Sequence, residues 1–312
     1  MPPKRVIGVD AGGTKLLGGV VDEDLVVHNR VHRLWRGADR EETLRIIVEA
    51  VEEVRTVAPD VAGVGFGIPS LVSPQGVSVA SVHLPIDDVP FADLMAERLG
   101  LPVWVDNDVN AAVLAEHRYG AARGAQHAVM LALGTGIGGG LLLDGRVYRG
   151  ATGAAGELGH TVVDVDGPPC PCGGRGCLEV LASGTAIGIA GTEAGRAHPR
   201  SELGKRLEAE GAIRGSFVSE LAHAGDELAM ESVRSVGRRL GAGLVSVLNV
   251  LDPEVAVIGG GAVAAGDLLL DPAREVLAAQ GLGPPRMRVV PAHFGGESGM
   301  LGAALLALEG SA

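Results

Sequence analysis

The sequence predicts an α/β protein built in two halves, and two observations carry that prediction. Short apolar runs of β character alternate with stretches of helical periodicity over all 312 residues. A glycine-rich hairpin pattern also occurs twice. Slid by 122 positions, IGVDAGGTKLLGGVVD lies on MLALGTGIGGGLLLD, so that Gly12 meets Gly134, Gly18 meets Gly140 and Asp22 meets Asp144. Such hairpins can match by chance. Each copy would nevertheless open one half of the chain, and a two-lobed fold with a phosphate-gripping hairpin in each lobe is expected.

The elements follow in order. VIGVD, KLLGGVVD and LVVHNRV read as three consecutive strands joined by tight turns. ADREETLRIIVEAVEEVRTV spaces its apolar residues as a helix does. VAGVGFGI and VWVD (103–106) read as strands, and NDVNAAVLAEHRYG as a helix leaving the second directly. AVMLALGTGIGGGLLLDG opens a new strand–turn–strand unit. A long helix is predicted over 226–251, then strand EVAVIGGG, a helix from about 262, strand MRVVPA and a final helix near 298–308.

Composition excludes several classes of function. Hydrophobic residues make up 46%, enough for a proper core without disulfide staples. A formal charge of −12 with no Lys/Arg run offers no track for a phosphate backbone, and 3% aromatics are too few for base stacking. Nucleic acid is not expected as a partner. The apolar runs are short and interrupted, so no membrane span is expected. MPPKR leads straight into a strand-like run without a leader pattern, which makes a cytoplasmic protein the expectation. Only three lysines stand against 23 arginines, so Lys15, inside a glycine-rich turn, is conspicuous.

Three glycine turns fall at strand ends: DAGGT (10–14), LGTGIGGG (133–140) and VIGGG (257–261). Glycine permits both the conformations and the close approach with which backbone N–H groups cradle phosphate oxygens. Each alone is weak, and none is a GxxxxGK[ST] loop; together they favour a nucleotide site. In VDNDVNAAVLAE (105–116), Asp and Asn crowd the point where strand passes to helix. Asn107 or Asp108 could simply cap the helix, but one cap suffices. Asp108 is equally well placed to accept a proton from a substrate hydroxyl.

The most specific stretch is GELGHTVVDVDGPPCPCGGRGCLE (156–179), which holds every cysteine of the chain. His160, Cys170, Cys172 and Cys177 supply one nitrogen and three sulfurs, a complete tetrahedral set for a closed, structural Zn²⁺ site. In a reducing compartment such clusters are metal ligands rather than disulfides. Glu157 and Glu179 flank the loop and could accept hydrogen bonds from vicinal hydroxyls; for Glu179 simple surface solvation is the competing reading.

With these motifs assembled, the chain resembles the ROK family of sugar kinases and repressors, its glucokinase branch above all. The likeness runs through DAGGTK, VDNDVNAA, LGTGIGGG, GELGH, CPCGGRGCLE and VIGGG. It implies an actin-like (ribonuclease H-like) two-lobed ATPase fold with ATP in an interlobe cleft. Residues 1–120 would form the smaller lobe, joined by the last helix (about 298–312), and residues 121–297 the larger lobe with the zinc loop. By the same resemblance Asp108 is the general base that takes the proton from O6 of a hexose. Asp10, Gly12, Gly13, Thr14 and Lys15 match the first phosphate motif, with Asp10 near Mg²⁺ through water. Gly134, Thr135 and Gly136 match the second phosphate turn, and Gly259, Gly260 and Gly261 the adenosine contact. Asn107, Asp108, Glu157, His160 and Glu179 match the sugar set, His160 serving zinc with one ring nitrogen and sugar with the other. A homodimer or homotetramer is implied as well.

Two departures bear on the acceptor. Ser70 stands in GIPS where a glycine is usual, and His83 stands where the family commonly has Asn, in a loop that meets the sugar in relatives. Glucose is the expected acceptor; fructose, mannose, N-acetylmannosamine and N-acetylglucosamine are the competitors. A non-catalytic sugar sensor of the same fold is the rival of a different class. It would not be expected to keep both phosphate turns and Asp108.

Overall fold

The computed structural model describes residues 4–35, 37–81, 83–281 and 287–310. Two compact units are present: 1–124 with 140–156 and 293–312, and 125–139 with 157–292.

In the first unit, strands β1 (Arg5–Ala11), β2 (Lys15–Asp22) and β3 (Val27–Leu34) form the expected antiparallel meander. Helix α1 (Arg40–Arg55) follows; the Asp39 side chain accepts from the Glu42 N–H, while the Glu42 carboxylate reaches back to the Ala38 N–H. Strand β4 (Val64–Ile68) returns parallel to β1, and a short ribbon of β5 (Leu71–Val72) and β6 (Ser78–Ala80) leads to helix α2 (Phe91–Leu99). Strand β7 (Val103–Asn107) pairs parallel with β4 and passes without a break into α3 (Asp108–Tyr119). The sheet order is β3-β2-β1-β4-β7.

Alternation along β1 sends Ile7, Val9 and Ala11 into a core with Leu44, Ile47 and Val51 of α1 and Phe91 and Met95 of α2. Val6 faces the other way, among Leu114 and Ala115 of α3 and Met300, Leu301 and Ala304 of the last helix, α10 (Ser298–Gly310). That helix lies directly on the sheet because β1 and β4 carry glycine beneath it. A Cβ at Gly8 would sit 2.2 Å from the Met300 carbonyl oxygen, and the Gly65 position is tighter still.

The later strands repeat this plan. β8 (Ala128–Leu133) and β9 (Ile137–Leu143) begin one repeat length after β1 and β2, and β10 (Arg146–Val147) takes the place of β3. Between them and the remaining strands come α4 (Leu178–Ala182), α5 (Gly184–Ala197), α6 (Glu202–Glu210), α7 (Gly215–His223) and the long α8 (Glu227–Leu251). β11 (Val255–Gly259), α9 (Asp267–Gln280), β12 (Arg288–Pro291) and α10 (Ser298–Gly310) complete the chain. Their sheet order, β10-β9-β8-β11-β12, matches the first sheet strand for strand, with the same parallel pairings. The helix expected from about 262 begins instead as a short 3-10 turn, Gly261–Ala265, with α9 proper starting at Asp267. Among the described residues no helix is long and apolar enough to cross a membrane.

Gly140–Gly156 belongs to the first unit rather than the second. There Gly140 lies against the backbone of Val109, and Arg149 binds Asp106.

Glu116 is fully buried, and its carboxylate accepts from the N–H groups of Ala121, His293 and Phe294 and from the Ser298 hydroxyl at 2.8–3.0 Å. It ties the end of α3 to the entry of α10. Glu116→Ala would take the acceptor from three part-buried backbone donors, and a loss of about 1–3 kcal/mol is expected in urea unfolding with an unchanged m-value.

Candidate active site and metal centre

Sheet register gathers the first group of candidate residues. Asp10 on β1 pairs with Gly67 on β4, Gly67 with Asp106 on β7, and Ile68 with Asn107. All lie at the carboxyl end of parallel strands, where open α/β sheets bind their ligands. Asn107 is the cap, its side-chain oxygen accepting from the N–H groups of Val109 (2.9 Å) and Asn110 (3.2 Å). Asp108, half-buried, accepts from Val109 N–H at 2.9 Å but is not required for the cap. Beneath it, buried Asp106 fixes the turn. One carboxylate oxygen takes Asn107 N–H and the Asn110 amide, the other the Arg149 guanidinium, with Nε at 2.8 Å. Sequence reasoning missed Arg149; nothing local marks a partner 43 residues away.

Burial, reinforced by the facing Asp108 carboxylate, pushes the Asp10 pKa up to about 8. Two carboxylates near enough to repel make a spot that favours a cation, so the pair fits the Mg²⁺ that accompanies a nucleoside triphosphate.

The glycine turns owe their glycines to close approach and open space more than to backbone freedom. Gly12, Gly13, Gly134 and Gly136 do not occupy the left-handed region; Gly260 does, at φ 81°, pressed on the backbone of Leu133. A Cβ at Gly13 would meet the Cβ of His83 at 2.7 Å, whereas Gly134 and Gly261 face open space. The Gly12 carbonyl accepts from the Trp35 indole, and Thr14 and Lys15 are exposed at the start of β2. Gly259 ends β11 beside Ala132 at the end of β8, which brings the turns at 134–136 and 259–261 to one edge of the second sheet.

The departures near the acceptor loop have different weights. Ser70 is buried, and its hydroxyl is consumed within the β5–β6 ribbon, facing Ser78 Oγ at 2.6 Å and donating to Ala80 O at 2.9 Å. His83 is exposed and lines a cavity of about 570 Å³ together with Gly13, Ser81 and Asp87.

In the second unit, His160, Cys170, Cys172 and Cys177 converge with all four ligand atoms within 4.8 Å of one another. Cys172 Sγ lies 3.7 Å from Cys177 Sγ, and Cys170 Sγ 3.7 Å from His160 Nδ1. A tetrahedron with zinc–sulfur bonds of about 2.3 Å has edges of about 3.8 Å, so the donor set fits Zn²⁺. Burial and the neighbouring sulfurs push Cys177 up to about 12, while the Gly174 N–H pulls Cys172 down. A dication would offset that repulsion among the sulfurs.

His160 turns Nδ1 toward the sulfurs and leaves Nε2 3.8 Å from a Glu157 carboxylate oxygen. Partial desolvation raises the Glu157 carboxyl, His160 opposes the rise and Glu179 adds to it. Glu179 is no freely solvated surface acid: one oxygen accepts from Ile137 N–H at 2.9 Å, and the other lies 3.9 Å from Cys170 Sγ.

The doubled sheet plan places the chain in the actin-like two-lobed α/β class, a class shared with solved glucokinases. The ROK family model matches residues 6–310, and the chain belongs to the ROK family. It is 36% identical to a glucokinase of Streptomyces coelicolor over 97% of both chains. It is 37% identical to a glucokinase of Thermotoga maritima over 88% of this chain and 87% of that one. A ROK family glucokinase from Streptomyces griseus, solved in complex with glucose and AMPPNP, superposes with a TM-score of 0.89 at 35% identity, covering 98% of this chain and 99% of the other.

The raised Asp10 has a consequence for stability. The folded chain retains this proton up to about pH 8, whereas an unfolded carboxyl releases it near pH 4. The native state therefore binds more protons in that window, and Asp10 makes stability fall as pH rises through it. In metal-free protein Asp10→Asn should raise Tm by an amount that grows from pH 5 to pH 8 and then levels off; a pH-independent change would contradict the assignment.

Proposed function

We propose that the chain transfers the γ-phosphoryl group of ATP to O6 of a hexose, with glucose as the preferred acceptor. The observation that carries this reading is the division of labour at the β7–α3 turn. Asn107 caps the helix, and Asp108 stands beside Asp10 at the sheet edge without being needed as a cap. The glucokinases that the chain matches over nearly their whole length support glucose as the acceptor.

In this reaction Asp108 accepts the O6 proton as that oxygen attacks phosphorus. The bond from the γ-phosphorus to the bridging oxygen breaks, and ADP leaves with the electron pair. No covalent enzyme intermediate is required, and positioning with charge neutralisation supplies most of the rate. Lys15 and the turns at 12–14 and 134–136 are assigned to the phosphates, and Gly259–Gly261 to the adenosine. Asn107, Glu157, His160 Nε2 and Glu179 are assigned to the sugar hydroxyls. Mg²⁺ bound with the triphosphate would neutralise its charge, with Asp10 holding it through water. Zn²⁺ on His160 Nδ1 and the three cysteines would fix the His160 ring so that Nε2 points to the sugar. The cytoplasm, with its reduced thiols, suits this ligand set. A homodimer or homotetramer is the assembly we assign by family.

Asp108→Asn should lower kcat by about 10²–10⁴ while sugar binding stays measurable, and retained turnover would remove Asp108 from the role of base. Coupled ADP release across hexoses and N-acetylhexosamines should rank glucose first in kcat/KM. His83→Asn should alter that ranking, whereas Ser70→Gly should leave it unchanged because the serine hydroxyl is spent inside its own ribbon.

A further inference from the structure

Glu179 lies two residues after Cys177, where the metal elbow hands over to helix α4. It makes a contact that its assignment to the sugar does not explain. Its Oε2 accepts from Ile137 N–H at 2.9 Å, and Ile137 directly follows the Gly134–Gly136 turn. The approach is so close that a Cβ on Gly136 would overlap the carboxylate at 2.1 Å. Two more contacts come from the same stretch. Gly184 N–H donates to Gly134 O at 2.8 Å, and the Thr185 hydroxyl donates to Thr135 O at 2.7 Å. On the other flank Gly159, next to His160, is packed on the Ile137 carbonyl with no room for a side chain. The glycine turn is thus gripped by residues that flank the metal ligands in sequence on both sides.

Resting on the kinase reading above, we propose that the elbow serves both substrates: Glu179 is a positioning residue for the donor's phosphate turn, so that nucleotide binding depends on the filled metal site. A hairpin turn that must present its N–H groups to phosphate oxygens gains most from having its carbonyls and its flanking amide fixed beforehand. Glu179 and Thr185 do this from one short segment, and the metal fixes where that segment starts. A ligand set that served the acceptor alone would leave sugar-free nucleotide affinity unchanged when the metal is removed.

The test is calorimetric titration of AMPPNP into the zinc-replete protein without sugar, with metal content checked for every variant. Glu179→Ala should weaken AMPPNP binding by about tenfold or more, the equivalent of one hydrogen bond to a charged group. Glu179→Gln should stay within about threefold of the wild type, because an amide oxygen still accepts from Ile137 N–H, yet it should raise KM for the sugar. Hydrogen exchange at the Ile137 amide should accelerate in Glu179→Ala and not in Glu179→Gln. Should Glu179→Ala not fold, stripping the wild type with a chelator should weaken AMPPNP binding to a similar degree, and zinc should restore it. AMPPNP affinity unchanged by Glu179→Ala or by chelation, or an equal loss in Glu179→Gln, overturns the proposal. A wild type that binds no AMPPNP would sink the kinase reading instead, and exchange at Ile137 would still decide the role of Glu179.

Discussion

Convergence of one imidazole and three sulfurs within 4.8 Å is the constraint on which the candidate site depends. The segment that carries them is held otherwise by turn hydrogen bonds, such as Val163 and Asp164 N–H to Gly176 O and Leu178 N–H to Thr161 O. Between Glu157 and Leu178 the described secondary structure is one 3-10 turn and the isolated bridges Val162–Cys177 and Pro169–Arg175. Most of its residues are exposed, so apolar burial contributes little there. A closed tetrahedral metal site can supply on the order of 10 kcal/mol of local ordering in addition to these hydrogen bonds. From that anchor the chain sets the His160 ring, places Glu157 and Glu179, and enters α4 and α5 against the second glycine turn.

The first unit achieves comparable rigidity by other means. Its β7–α3 turn rests on a parallel sheet edge, the buried Asp106 paired with a half-exposed Arg149, and a helix cap, and α10 is pressed onto β1 and β4 through glycines. Against this support it tolerates an unfavourable feature, the close pair Asp10 and Asp108. Such a pair lowers the stability of the metal-free chain above acid pH. Perturbed acids of this kind cluster at functional sites, in keeping with the cation and triphosphate proposed above.

Legibility from sequence followed the distance between partners. Hairpins, helix α1 and the metal set are built from residues close in the chain, and each was readable from spacing. The repeat offset was readable too, and the matching sheet orders give it a structural meaning. Arg149 with Asp106 and Glu116 with His293, Phe294 and Ser298 were not readable, because their partners meet only after the sheet and α10 assemble. Ser70 misled in the opposite direction: its side chain satisfies the β5–β6 ribbon, which no single-residue comparison reveals. Crowding and open space, rather than left-handed backbone, explain most of the glycines in the three turns. Helices α4 to α7 went unassigned because glycine and small residues blur their periodicity.

The most direct measurement is metal analysis of natively purified protein combined with X-ray absorption at the zinc edge. This account predicts one zinc per chain with three sulfur neighbours at about 2.3 Å and one nitrogen at about 2.0 Å. Protein that contains no zinc, or zinc in an oxygen-rich shell, yet phosphorylates glucose at full rate would contradict it.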